Sequence, residues 1–165
     1  MTGARRLQIS IATTIVVLDQ AVKALVRARL EYGEIVVVVP NLLNLARVHN
    51  TGAAFGMLDP VDFPYKAAVM IVLGLAALAG LALYAATLPP EQWLSRMGLA
   101  MVVGGAAGNL IDRVTAGYVL DFVDVYWRGW HFWAFNVADA SITVGVALMI
   151  LELLGVGRQR VSRAL

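Results

Sequence analysis

Four long apolar segments, about Gln8–Val26, Tyr65–Ala86, Trp93–Ile111 and Val137–Leu154, set the limits on what this chain can fold into. Each is long enough to cross roughly 30 Å of hydrocarbon as a helix. Hydrophobic residues make up 60% of the 165, too many for an ordinary soluble domain, and the length excludes two large domains. The simplest reading is one integral membrane domain over residues 1–165. Arg5 and Arg6 ahead of the run Leu7–Leu18 have the look of a secretory signal. No small-x-small cleavage site follows, however, and the helical pattern runs on through Asp19, Gln20 and Lys23, so this segment is expected to be retained as a span.

Four crossings put both termini on one side, together with the turn Thr87–Ser95, whose Pro89-Pro90 pair cannot continue a helix and whose Trp93 suits an interface. Arg5, Arg6, Arg96, Arg158, Arg160 and Arg163 stand on that side. Lys23, Arg27, Arg29, Arg47, Lys66, Arg113 and Arg128 stand on the other, so the positive-inside rule does not decide by count alone. The termini are expected in the cytoplasm.

The connection Ala28–Pro64 is too long for a turn. Its β-branched run Glu34–Val39, the turn signal Pro40-Asn41 and the looser alternation Leu42–His49 predict a small extracytoplasmic sheet lying on the bilayer, over about residues 33–57. From about 115 to 135, Tyr118, Phe122, Tyr126, Trp127, Trp130, Phe132 and Trp133 crowd together, as in a helix or loop in the headgroup zone. The predicted fold is an all-α membrane protein: four transmembrane helices, a small extracytoplasmic β-sheet and an interfacial helix or loop.

With no cysteine, thiolate chemistry and disulfides are excluded, and a formal charge of +2 on scattered Lys and Arg gives no case for nucleic acid. Chemistry must rest on other groups. An ionised Asp at a bilayer centre costs about 2.5–3.5 kcal/mol on insertion scales, so Asp121 and Asp139, beside or inside apolar sequence, need a reason. Two carboxylates able to share one proton point to acid–base chemistry on a membrane substrate. Asp124 competes with Asp121 as the partner of Asp139, and spacing does not choose between them. Asn136 is placed to cap the last span, with Asp139 at the third helical position of a capping box.

Asp19 and Lys23 are four apart, with the acid first, which favours an ion pair near the membrane edge and lets Lys23 snorkel outward. Asn50-Thr51-Gly52-Ala53-Ala54-Phe55-Gly56 fits a turn or a substrate contact. Gly104-Gly105-Ala106-Ala107-Gly108 permits close helix packing. Asn109, Asp112 and Arg113 then fall on one helix face, Arg113 being suited to a carboxylate, a carbonyl or an interfacial anchor. A metal held by these acids with His49 or His131 lacks any His pair at helical spacing, and none is expected. A proton conductor is the main rival, but its carboxylates should recur across the bilayer, whereas these gather toward one face.

Taken together, Asp19 to Lys23, Asn50-Thr51-Gly52-Ala53-Ala54-Phe55, Gly108-Asn109-Leu110-Ile111-Asp112-Arg113, Val119-Leu120-Asp121-Phe122 and Phe135-Asn136-Val137-Ala138-Asp139 resemble the motifs of the lipoprotein signal peptidase (signal peptidase II) family. The resemblance covers about residues 19 to 145. It implies a bacterial inner-membrane aspartyl endopeptidase, free of cofactor and metal, that cleaves prolipoproteins just before their diacylglyceryl-modified cysteine at a site near the extracytoplasmic face. The implied catalytic pair is Asp121 and Asp139, with Asp124 outside the pattern. Asn50, Gly52, Asn109, Arg113 and Asn136 match positions that line or support the site, and Asp112, Asp19 and Lys23 do so more peripherally. The expected partners are a lipidated prolipoprotein, membrane lipids and a globomycin-type inhibitor, and the protein is expected to be a monomer.

Overall fold

The computed structural model describes residues 3–53, 57, 58 and 61–156. Arg158, Arg160 and Arg163, and residues 54–56 of the Asn50 motif, lie outside the described residues. The chain runs α1 (Gly3–Arg29), β1 (Ile35–Val39), β2 (Leu43–Asn50), α2 (Lys66–Thr87), α3 (Trp93–Ala116), β3 (Val119–Trp127), β4 (Trp130–His131) and α4 (Val137–Leu153).

The helices stop where their sequences require it. Leu88, ahead of Pro89-Pro90, is extended, because proline disfavours the helical region in the residue before it. α3 continues five residues beyond the expected Ile111 and ends at Gly117, whose φ of 80° lets its N–H turn back to the Arg113 carbonyl.

Among the described residues, three helices, α1, α2 and α3, are long and apolar enough to cross a membrane. At 17 residues α4 reaches about 26 Å, slightly under the hydrocarbon thickness. Met70 is the one buried residue of α2, while Val69, Val72, Leu73, Leu75 and Leu83 stand uncovered by protein. So large an apolar face is untenable in water and natural in lipid.

α3 is the central helix, and its glycines set the spacing. A methyl group on Gly104 would come within 2.9 Å of the Ala12 carbonyl in α1, and one on Gly108 within 2.7 Å of Asp19 Oδ2. Gly98 meets Gly145 of α4 in the same way. The small-residue stretch therefore does bring backbones together, as membrane helices require. The N-terminal end of α1 lies beside that of α3, where Gln8 Nε2 donates to the Arg96 carbonyl at 3.1 Å. The C-terminal end of α4 joins them through Ser95 N–H donating to Glu152 Oε2 at 2.9 Å.

The sheet is an antiparallel meander in the order β1-β2-β3-β4. Asn41 turns the first hairpin with φ 60°, and Arg128 and Gly129 turn the last with φ 48° and 82°. The stretch expected to be an interfacial helix or loop is therefore corrected: it supplies β3 and β4 to the sheet begun by β1 and β2. Its β-branched and aromatic residues lie between Gly117 and Gly129, and Val119 to Phe122 are buried, so no inside–outside alternation marks the strand.

Candidate active site

Antiparallel register places Asn50, the last residue of β2, opposite Val119, and so diagonally beside Asp121 on one sheet face. Asn50 Nδ2 donates to Asp121 Oδ2 at 3.0 Å. The other oxygen, Oδ1, accepts from Asn136 Nδ2 at 2.6 Å. Asp124 is three residues on, an odd step along a strand, and points to the other face. There it faces Asn44, whose Nδ2 donates to it at 2.8 Å, and His131 Nδ1 at 2.9 Å. Of the two acids between which spacing did not choose, Asp121 is the one gathered with Asp139.

Asn136 is the N-cap of α4: its Oδ1 accepts from Asp139 N–H at 2.9 Å, and its own N–H donates to Asp139 Oδ2 at 3.2 Å. One side chain thus closes a capping box and holds the second carboxylate. Asp139 Oδ1 accepts from Asn109 Nδ2 at 2.8 Å, and Asn109 Oδ1 accepts from Asn136 Nδ2 at 3.2 Å. Asp121 and Asp139 are consequently tied through Asn136 at the start of α4 and Asn109 on α3, with Asn50 of β2 holding Asp121 from the other side. Burial, and then the negative charge of Asp139, push the Asp121 carboxyl up from 3.8 to about 7. That is the behaviour of two acids that cannot both ionise.

Beneath them lies a charged layer. Lys23 Nζ sits 2.8 Å from Asp19 Oδ2 and 3.0 Å from Asp112 Oδ2, all three side chains being 0% exposed, and donates to Asn109 Oδ1 at 3.0 Å. The expectation that Lys23 snorkels outward is corrected. With two carboxylates and an amide oxygen around it, the ammonium is solvated better inside than at the rim. The helical spacing of Asp19 and Lys23 was legible; Asp112, from a helix 89 residues away, was not.

Asp112 also accepts from Arg27 at 2.8 Å and from the Leu120 N–H at 3.0 Å, while Asp19 accepts from the Ala138 N–H at 3.0 Å. Each carboxylate therefore clamps the backbone beside one member of the pair, Asp112 next to Asp121 and Asp19 next to Asp139. Arg27 and Gln20, whose Nε2 lies 3.2 Å from Asp19 and 3.4 Å from Asp112, were not singled out from sequence. Their one signal was an unexplained polar group on an otherwise apolar helix.

Arg113 donates to the Gly52 carbonyl at 2.9 Å, which brings the Asn50 motif to the site, and Gly52 N–H donates to Asn50 Oδ1 at 2.9 Å. It lies in the field of Asp139, Asp121 and Asp112. Three cations, Lys23, Arg27 and Arg113, thus face four carboxylates, Asp19, Asp112, Asp121 and Asp139, an imbalance that one bound proton removes. The two histidines weighed as metal ligands are elsewhere. His131 is on Asp124, and His49 stacks on Tyr118 at 3.7 Å, where burial and then Arg47 lower its basicity.

A family model described as signal peptidase (SPase) II matches residues 11–155. The lipoprotein signal peptidase of Geobacter metallireducens is 44% identical over 146 residues, 88% of this chain and 89% of the relative. That of Brucella ovis is 44% identical over 148 residues, 89% of each chain. Among solved structures, a bacterial membrane enzyme determined by the in meso method at 2.3 Å resolution superposes with a TM-score of 0.76. It is 32% identical, and the match covers 90% of this chain and 88% of that one.

Proposed function

Because the chain belongs to the signal peptidase II family, we propose that it is an aspartic endopeptidase of the bacterial inner membrane. It removes signal peptides from diacylglyceryl-modified prolipoproteins by cleaving before the lipidated cysteine. The observation that supports this most is the pairing of Asp121 and Asp139 through Asn136, with a single proton's worth of charge left uncompensated around them.

In this reading Asp139 is the base and Asp121 the proton-bearing acid. A water held between them attacks the scissile carbonyl carbon, losing its proton to Asp139 as Asp121 protonates the carbonyl oxygen. The C–N bond of the resulting gem-diol then breaks. The proton on Asp139 passes to the departing amine and Asp121 recovers its own from a hydroxyl, so the pair ends as it began. Arg113 and the asparagine amides are the local donors to the carbonyl oxygen as negative charge builds on it ahead of the proton from Asp121. Four spans, with both termini in the cytoplasm and the sheet at the outer face, leave the substrate's acyl chains in lipid while its backbone reaches the carboxylates. The aromatic residues from Tyr126 to Trp133 then form a lid or anchor at the headgroup level. The same site is the place for a globomycin-type inhibitor.

The test is the mobility of a model prolipoprotein incubated with purified variants. Asp121→Asn and Asp139→Asn are each expected to abolish processing in a protein that still folds and inserts, and Asp124→Asn to retain it. Full turnover by either of the first two variants removes the dyad.

A further inference from the structure

A cavity of about 670 Å³ opens between α1, α2 and α3 at the far end of the helices from the carboxylates. Ala12, Ala82, Leu99 and Val103 are among its walls. Its rim carries Arg5, Gln8 and Arg96. Arg96 and Val103 are seven residues apart on α3, so apolar wall continues about 10 Å inward from the charged rim. Thirteen residues in all separate Arg96 from Asn109, about 20 Å, so the charged rim is distinct from the dyad site.

The rim is built to hold an anion. Among the described residues, neither Arg5 nor Arg96 has a carboxylate within ion-pair distance; Glu152, the buried acid at this end, accepts from the Ser95 N–H instead. Arg96 is pinned by two bonds, to the Leu88 carbonyl at 3.2 Å and to Gln8 Oε1 at 3.0 Å, leaving three of its five N–H donors for a ligand. Guanidinium groups match phosphate oxygens in geometry as well as charge. Small residues on three helices leave the space behind the rim, and a void lined by alkyl groups forfeits dispersion contacts unless hydrocarbon enters it.

We infer that this cavity seats one anionic phospholipid, its phosphate on Arg5 and Arg96 and an acyl chain along the walls between α1, α2 and α3. A signal peptide is the competing occupant in a protein of this function, but its basic N-terminal region has the wrong charge for this rim. Basic pockets between spans at a cytoplasmic leaflet are a recognised setting for anionic headgroups.

The experiment is native mass spectrometry of the whole protein in neutral detergent, titrated with phosphatidylglycerol, with phosphatidylcholine of the same chains, or with inorganic phosphate. One phosphatidylglycerol is expected to be retained, and phosphatidylcholine to bind at least tenfold more weakly. Arg5→Gln/Arg96→Gln should weaken the first about thirtyfold, taking about fivefold for each cation near a membrane anion. Ala82→Phe keeps both charges, fills the apolar space from a lipid-facing helix and should also lose the lipid. Equal binding of the two lipids overturns the inference. So does unchanged binding by Ala82→Phe, or displacement of the lipid by inorganic phosphate at equal concentration. These variants lie far from Asp121 and Asp139 and should still cleave prolipoprotein in detergent, so lipid binding and peptidase activity succeed or fail separately.

Discussion

Replacing Asn136 separates what it does for the helix from what it does for the carboxylates. The side chain is 1% exposed; it accepts from Asp139 N–H and donates to Asp121 at 2.6 Å. Losing an N-cap costs about 1 kcal/mol. Leaving the buried Asp121 carboxyl oxygen without its donor costs about 1–3 kcal/mol more. Asn136→Ala should therefore destabilise the protein by about 2–4 kcal/mol and, through the carboxyl bond alone, lower kcat/KM roughly 5- to 150-fold. Asn136→Ser is the informative variant, because its hydroxyl can cap α4 but is too short to reach Asp121. It should recover about 1 kcal/mol of the stability and little of the rate. Thermal unfolding in detergent and initial rates on a lipidated prolipoprotein give the two numbers. If serine restores turnover together with stability, Asn136 is only a cap and its link to Asp121 has no part in the chemistry.

Acid titration offers a second check: with Asp121 at about 7 when folded against its ordinary 3.8, the folded state holds the proton more tightly. Its contribution is full below about pH 4 and is lost as pH rises through about 7. The unfolding midpoint should fall across that window and flatten in Asp121→Asn, while kcat/KM declines on the alkaline side of about 7; a midpoint independent of pH argues against the raised carboxyl. Lys23→Met strands Asp19 and Asp112 without their common cation and should cost about 3–5 kcal/mol, part of it recovered in Lys23→Met/Asp19→Asn. An unfolding temperature equal to the parent's would mean the buried ions do not stabilise the fold. Gly108→Ala pushes a methyl group to within 2.7 Å of Asp19 Oδ2, and about 1–3 kcal/mol of overpacking is expected in the same unfolding assay. Unchanged stability would show that α1 and α3 can separate freely.

What could be read from sequence was whatever is encoded locally. Span positions follow from runs of apolar residues, and the capping box at Asn136 and Asp139 follows from a three-residue spacing. Helices stand at those four positions and the capping box forms, with α1 extending past its expected limits because Arg27 and Arg29 continue the helix as polar residues. What was hidden depends on register and on distant partners. Nothing local tells Asp121 from Asp124; alignment of β3 on β2 does, by setting Asn44 opposite the second and Asn50 diagonal to the first. Lys23 looked like a rim residue because Asp112 and Asn109 enter from another helix. β3 was concealed by being buried on both faces at its start, where alternation, the usual mark of a strand, is lost.

The placement of Asn136 and Asp139 on the last helix has a consequence for biogenesis. Ribosomal synthesis delivers α1, α3 and β3 first, so Asp19, Asn109 and Asp121 are made before the groups at the start of α4 that they bond. Until α4 has been translated and has docked on the glycines of α3, the proposed pair lacks its second carboxylate and no hydrolysis is expected. On the proposed mechanism a product that ends before α4 should be inert, and the nascent chain silent toward neighbouring polypeptides.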